Sequence, residues 1–246
     1  MTAVLLAAGC ARRLVHLTRE TPKCLLDVGG KTLIRHQLDA MRACGVDQFI
    51  VVVGFWAEKI RNHLGDSVRY VLNEVYDSTN SLYSLSLALP HVTGGMVLTN
   101  ADVLFHPKLL SRLVTSPHPD ALLYEPGEQL GAEEMKVRLE GARVTAMSKS
   151  MEPGTYHGEN LGVLKFSAEG VRRLRAATDE LIGKNELNAW APMATDAICK
   201  EYPVHGISSG LLPWIEVDFP ADLERARKLV WPRIKSVPEL GSHCAG

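Results

Sequence analysis

The sequence predicts an α/β fold: a mostly parallel sheet with helices on both faces, joined to a smaller antiparallel portion. Three observations predict it. Apolar, β-branched runs alternate with stretches of helical spacing up to about residue 115. Runs such as Phe49 to Val53 are apolar at every position, as strands buried on both faces are. Beyond residue 115 the runs shorten, and two of them flank Glu140-Gly141, the pattern of a hairpin.

The elements follow in order. Val4 to Ala8 reads as a buried strand that breaks at Gly9 into a loop bearing Arg12 and Arg13. Lys31 to Ala43 has helical spacing, with Gly45 as a stop. Phe49 to Val53 is the second strand, Ala57 to Leu64 a short helix, and Val68 to Leu72 the third strand. Ser78 or Thr79 can cap a helix carrying Leu82, Leu85, Leu87 and Leu89. Met96 to Thr99 is the fourth strand, and Pro107 opens a helix to about Val114. Ala121 to Tyr124, Lys136 to Leu139, Arg143 to Ser148 and Leu161 to Phe166 read as strands. Ala168 to Leu181 and Asn188 to Lys200 read as helices. Trp214 to Asp218 is a last short strand, and Pro220 begins a helix to about Leu229. Residues 1–237 form one expected domain, with halves of about 1–115 and 116–237, and the tail 238–246 is expected to be mobile.

Composition narrows the function classes. A formal net charge of -1 over 246 residues supplies no global basic field, so nucleic acid is not an expected partner. No apolar run is long enough to span a bilayer, and the first is cut by Gly9 with no basic region ahead of it, so neither membrane insertion nor a signal peptide is expected. Five scattered cysteines without a C-x-x-C pair suit reduced thiols in a cytoplasmic protein. The histidines lack metal spacing, and no G-x-S-x-G elbow points to acyl transfer.

Chemistry concentrates at strand ends. In parallel sheets ligands bind beyond the carboxyl ends of the strands, so Gly9, Asn73 and Asp102 are expected on one rim. A strand ending in a small-residue loop turns backbone N–H groups toward a polyanion, and Arg13 and Lys23 would add fixed positive charge. A P-loop is excluded, because the first glycine of a motif ending in Gly30-Lys31-Thr32 falls on Leu25. Asp102, directly after a strand, suits either a turn cap or a metal ligand. Glu216 and Asp218 alternate onto one face of the last strand, where they either meet solvent or share a cation.

Leu6-Ala7-Ala8-Gly9, Arg13-Leu14, Leu17-Thr18, Pro22-Lys23 and Gly30-Lys31 resemble the opening signature of the nucleotidyltransferases that activate sugar phosphates and phosphocholine. The segment from Asn73 through Tyr76, Thr79 and Asn80 is similar to the phosphocholine cytidylyltransferase branch, as are Glu134 to Val137 and Gly158 to Gly162. The sequence departs from that branch at residues 188–193, where Trp190, Ala191 and Pro192 intervene. The resemblance implies a Rossmann-like fold of the nucleotide-diphospho-sugar transferase type and a Mg²⁺-dependent reaction of CTP with a small phosphate monoester, phosphocholine favoured. Lys23 and Arg13 are then the expected catalytic pair. Leu6, Ala8, Gly9, Arg13, Lys23, Asn73, Thr79, Asn80 and Ala101 are expected to bind the nucleotide, and Asp102, Asp218 and Glu216 the metal. Lys136, Glu159, Trp190, Trp214 and Tyr83 are expected at the acceptor, where Tyr83, Tyr156, Trp190 and Trp214 would cage a quaternary ammonium group. A phosphonate such as 2-aminoethylphosphonate, a sugar or polyol phosphate, another nucleotide, and a non-catalytic regulatory subunit stay open, as does a homo-oligomeric state.

Overall fold

The structure, a computed structural model, describes residues 1–10 and 21–237. The expected roles of Arg13 and the expected mobility of the tail lie outside the described residues.

In chain order the strands and helices are β1 (Thr2–Ala7), β2 (Asp27–Val28), β3 (Lys31–Thr32), α1 (Leu33–Ala43), β4 (Gln48–Val53), α2 (Ala57–Leu64), β5 (Arg69–Leu72), α3 (Ser81–Ala88), β6 (Met96–Asn100), β7 (Val103–Phe105) and α4 (Pro107–Thr115). There follow β8 (Ala121–Pro126), β9 (Lys136–Glu140), β10 (Arg143–Ser148), β11 (Gly158–Phe166), α5 (Ala168–Gly183), α6 (Pro192–Cys199), β12 (His205–Ser208), β13 (Trp214–Glu216), α7 (Pro220–Arg225) and α8 (Trp231–Ser236). One nine-stranded sheet has the order β5-β4-β1-β6-β11-β8-β12-β10-β9.

The expectation of a mostly parallel sheet holds for half of it. Strands β5, β4, β1 and β6 run parallel. β11 then enters antiparallel to β6 and β8, and past the parallel β8–β12 pair the sheet ends in antiparallel neighbours. The whole is therefore a mixed sheet. β12 escaped the sequence reading because His205-Gly206-Ile207-Ser208 carries no β-branched run.

Side-chain alternation divides the core between the two faces. Ala3 and Leu5 of β1 and Phe49 and Val51 of β4 pack with Ile34, Leu38 and Met41 of α1 and with Leu109 and Leu113 of α4. Val4, Ile50 and Val52 pack on the other face with Leu82 and Leu85 of α3, Leu174 of α5 and Ile198 of α6. A third cluster joins Leu104 of β7 and Ile215 of β13 to Leu33, Leu223 and Val230. None of the described helices is long and apolar enough to cross a membrane.

Local chemistry moves several expected boundaries. α1 starts at Leu33, because Lys31 and Thr32 pair with Asp27 and Val28 across a two-residue turn. Both turn residues, Gly29 and Gly30, have positive φ (67° and 88°), a conformation that hairpin turns of this kind require. α3 is capped by Asn80, whose side chain accepts from Ser81 N, and not by Ser78 or Thr79. α6 starts at Pro192, which needs no N–H there. The final helical run extends past Leu229 to Ser236, passing through a π turn over Ala226–Val230 just before Pro232.

Candidate active site

Gly9, Asn73 and Asp102 share one rim, as their places after strands predict. All three line a cavity of about 330 Å³, together with Leu6, Ala8, Thr79, Asn80, Glu216, Asp218 and Trp190. Lys23 lies where its ammonium group touches two of the cavity's carboxylates.

The acidic floor comes from two short strands whose pairing fixes its geometry. β7 and β13 pair antiparallel, with Glu216 opposite Val103. Beyond the ladder, Val217 N donates to Asp102 O at 3.1 Å. Asp218 is therefore past the end of the strand, and Asp222 Oδ2 accepts from its backbone N–H at 3.2 Å. The expected strand over Trp214 to Asp218 is two residues shorter, yet the turn still brings Glu216 and Asp218 to one place. Asp102, Glu216 and Asp218 each offer a carboxylate oxygen within 4.8 Å of the others.

Lys23 enters this group from the 3-10 turn Lys23–Leu25, which follows Pro22. Its Nζ donates to Asp102 Oδ2 at 2.7 Å and to Asp218 Oδ1 at 2.6 Å. Burial lowers the ammonium group's pKa, but Asp102 and Asp218 together outweigh it and hold the group above the usual lysine range. Glu216 is pushed up to about 8, first by burial and then by the charges of Asp102 and Asp218. Asp102 Oδ1 is buried with no hydrogen-bond partner. Three crowded carboxylates and an unsatisfied oxygen fit a hard divalent cation, which takes oxygen ligands.

On the rim that carries Gly9, the Asn73 side chain organises its own loop. Its Nδ2 donates to Thr79 Oγ1 and Ser84 Oγ, both at 3.1 Å, and its Oδ1 accepts from Val75 N at 3.1 Å. Thr79 Oγ1 donates to Val75 O at 2.8 Å. These bonds fold the loop from Asn73 to Asn80 against the cavity. Ala101 is buried, its N–H given to Leu6 O at 3.1 Å, and it does not line the cavity.

The acceptor side differs from its expected membership. Trp190 lines the cavity because its segment is tied to the start of α3. Leu82 N donates to Ala189 O at 3.1 Å, and Ala191 N donates to Ser81 Oγ at 2.9 Å. Lys136, Glu159, Trp214 and Tyr83 are not among the cavity-lining residues. Lys136 is buried, and its Nζ is held by the carbonyls of Gly131 and Lys149 at 2.5 and 2.7 Å. Trp214 packs against the core and donates its indole N–H to Glu125 Oε2 at 3.0 Å. Tyr156 is buried; its hydroxyl donates to Glu128 O and accepts from Leu130 N. Glu159 sits opposite Glu125 and Lys136 on neighbouring strands. The four-ring cage is thus not assembled, and Trp190 is the member that reaches the cavity.

The structure adds Lys149, Glu133 and Asn160 to the cavity wall. Lys149 Nζ lies 4.6 Å from the centre of the Trp190 ring and 3.4 Å from Glu133 Oε2. Asn160 begins a stretch of β11 that leaves the regular register around Gly162, whose φ is 72°. A Cβ at Gly162 would meet Asn100 Nδ2 at 2.9 Å, so the close approach of β11 to the end of β6 needs glycine. Lys149 had no signal in the sequence beyond being a charged residue at the end of a predicted hairpin.

The model of the MobA-like NTP transferase domain matches residues 3–190. The chain belongs to this family. As a nucleotidyltransferase it has relatives of similar length and of greater length. It is 23% identical to a CTP:phosphoglutamine cytidylyltransferase of Campylobacter jejuni, over 91% of this chain and 98% of that protein. It is 26% identical to a CMP-5′-(3-aminopropyl)phosphonate synthase of Streptomyces rubellomurinus, over 91% of this chain but 38% of that protein. Its fold matches that of a CTP:phosphocholine cytidylyltransferase from Streptococcus pneumoniae with a TM-score of 0.77 at 22% identity, covering 92% and 97% of the two chains.

Proposed function

We propose that this nucleotidyltransferase is a Mg²⁺-dependent cytidylyltransferase that joins CTP to a small phosphate or phosphonate monoester and releases pyrophosphate. The observation that carries the reading is the Lys23 ammonium group bridging Asp102 and Asp218, beside Glu216, at the rim between the nucleotide loops and the Trp190 wall. The cytidylyltransferase relative that matches along nearly its whole length supports CTP as the nucleotide.

The chemistry follows from the charges. The acceptor oxygen is already anionic, so attack on the α-phosphorus needs no protein nucleophile. The obstacles are repulsion between anions and their alignment. Lys23 supplies a fixed positive charge, and Gly9 with the folded Asn73–Asn80 loop shapes the nucleotide's place. Asp102, Glu216 and Asp218 would hold Mg²⁺, which supplies charge neutralisation at the phosphates when bound. The retained Lys23, Asp102 and Asp218 argue against a regulatory subunit without turnover.

For the acceptor, phosphocholine is the reading favoured by resemblance. One observation favours a second: Trp190 is the single ring of the expected cage at the cavity, and Lys149 already lies over it. That wall suits acceptors recognised by charge and hydrogen bonds, such as an aminoalkylphosphonate or a polyol or sugar phosphate. The test is pyrophosphate release with CTP, UTP, ATP and GTP, each with phosphocholine, 2-aminoethylphosphonate and a polyol phosphate, with and without a chelator. CTP turnover abolished by the chelator is expected. Turnover with another triphosphate only, or turnover that survives the chelator, overturns the reading.

A further inference from the structure

Gln37 is a polar side chain placed on the buried face of α1, among Ile34, Leu38 and Met41. It is 1% exposed. Its Nε2 donates twice, to Asn100 O at 2.8 Å and to Val103 O at 2.7 Å. Those two carbonyls bracket Ala101-Asp102, the turn between β6 and β7. Its Oε1 is buried with no hydrogen-bond partner. An apolar residue of the same size would avoid that unsatisfied oxygen, and leaving a buried acceptor unpaired is costly. The amide is therefore kept for its two donors.

What those donors hold is the arm that carries Asp102. The same turn is pinned from the other side by Ala101 N to Leu6 O and by Val217 N to Asp102 O. The last of these links it to the segment bearing Glu216 and Asp218. Gln37 thus braces the turn from the helix layer.

We propose that Gln37 is a positioning residue for the divalent-cation site: it fixes the β6–β7 turn so that Asp102 stands at a set distance from Glu216 and Asp218. Gln37 touches neither substrate nor cation and acts through the backbone on either side of Asp102. The inference rests on reading those three carboxylates as the cation's holders.

Two variants test it. Gln37→Met keeps the volume and removes both donors; Gln37→Glu keeps the shape and leaves a single donor at most. The readouts are the Mg²⁺ concentration for half-maximal pyrophosphate release, the KM for CTP, the Tm, and Mn²⁺ binding to the nucleotide-free protein by electron paramagnetic resonance. Gln37→Met is expected to raise the half-maximal Mg²⁺ concentration and weaken Mn²⁺ binding by about tenfold, the lower end of what supporting partners of metal ligands contribute. Gln37→Glu is expected to shift both less, in the same direction, and the KM for CTP is expected to stay put. A fall in Tm with unchanged Mg²⁺ and Mn²⁺ behaviour makes Gln37 structural only and overturns the proposal, as does an equal loss in Mg²⁺ and CTP. If Gln37→Met does not fold, Gln37→Glu decides by the same criteria. If no triphosphate turns over, the cytidylyltransferase reading falls, and Mn²⁺ binding still decides on Gln37.

Discussion

The two halves of the sheet build the cavity in opposite ways. On the parallel side, β1, β4, β5 and β6 all deliver their C-terminal loops to one rim, so Gly9, Asn73 and Asp102 meet there by topology alone. On the antiparallel side no such rule applies. Glu133, Lys149, Asn160 and Trp190 come from a loop, the end of β10, an irregular stretch of β11 and the segment ahead of α6. The first side carries the loops proposed for the triphosphate together with Asp102, and the β7–β13 pair sets Glu216 and Asp218 beside them. The second holds groups that differ in charge and shape, and the proposed function places the choice of acceptor there. On the proposed function, reaction type and acceptor choice occupy different architectures of one cavity and can be perturbed separately.

The sharpest way to break that separation is at Lys23. Lys23→Ala is expected to lower kcat by about 10²–10³-fold, the scale of losing one group that stabilises developing charge. Circular dichroism is expected to show a native fold. Near-normal pyrophosphate release would remove Lys23 from the chemistry. A second consequence is specific to this geometry. The ammonium group sits between Asp102 and Asp218, so its removal is expected to tighten Mn²⁺ binding to the nucleotide-free protein while turnover falls.

Lys149→Met sharpens the comparison from the other side. It is expected to raise the acceptor's KM about tenfold, the size of removing one charge-assisted hydrogen bond, while the KM for CTP stays within about twofold. Equal changes in both constants would mean that Lys149 serves the nucleotide, and the division between the two walls would fail.

The smallest effect is a pH dependence in the antiparallel half. The Glu159 carboxyl is pushed up to about 7, first by burial and then by Glu134 and Glu125, against the opposing pull of Lys136. In the folded chain Glu159 keeps its proton to a higher pH than in the unfolded chain, whose value is near 4.5. Between those values the folded state binds more protons, so stability falls as pH rises through the window. Glu159→Gln is expected to flatten that slope. Its Tm should match the parent near about pH 4 and exceed it near about pH 8. Parallel Tm profiles across that range would show that Glu159 feels no such crowding.

How far the sequence alone reaches is visible in particular elements. Phe49 to Val53 and Ala57 to Leu64 are legible because burial and helical period act locally, and the structure places both within a residue of the reading. The Lys23, Asp102 and Asp218 group is legible because each lies in a short motif at a strand end or turn. The three-residue β7 is not legible, since its existence depends on pairing with β13, more than a hundred residues away. The membership of the cavity's other wall is not legible for the same reason. Lys136, Trp214, Tyr83 and Glu159 looked like suitable chemistry, but alternation and register turn Lys136 and Trp214 toward carbonyls and the core, and leave all four outside the cavity.

The sequence by itself determined an α/β chain with Gly9, Asn73 and Asp102 at strand ends on one rim and with a lysine and carboxylates in short motifs, because those signals are contiguous. Tertiary structure decided that the sheet is mixed, that Lys23 bridges Asp102 and Asp218, that Gln37 braces the turn carrying Asp102, and that Lys149 meets Trp190. Each of those facts joins residues far apart in the chain. Only the register of paired strands and the packing of helices on them can bring such residues together.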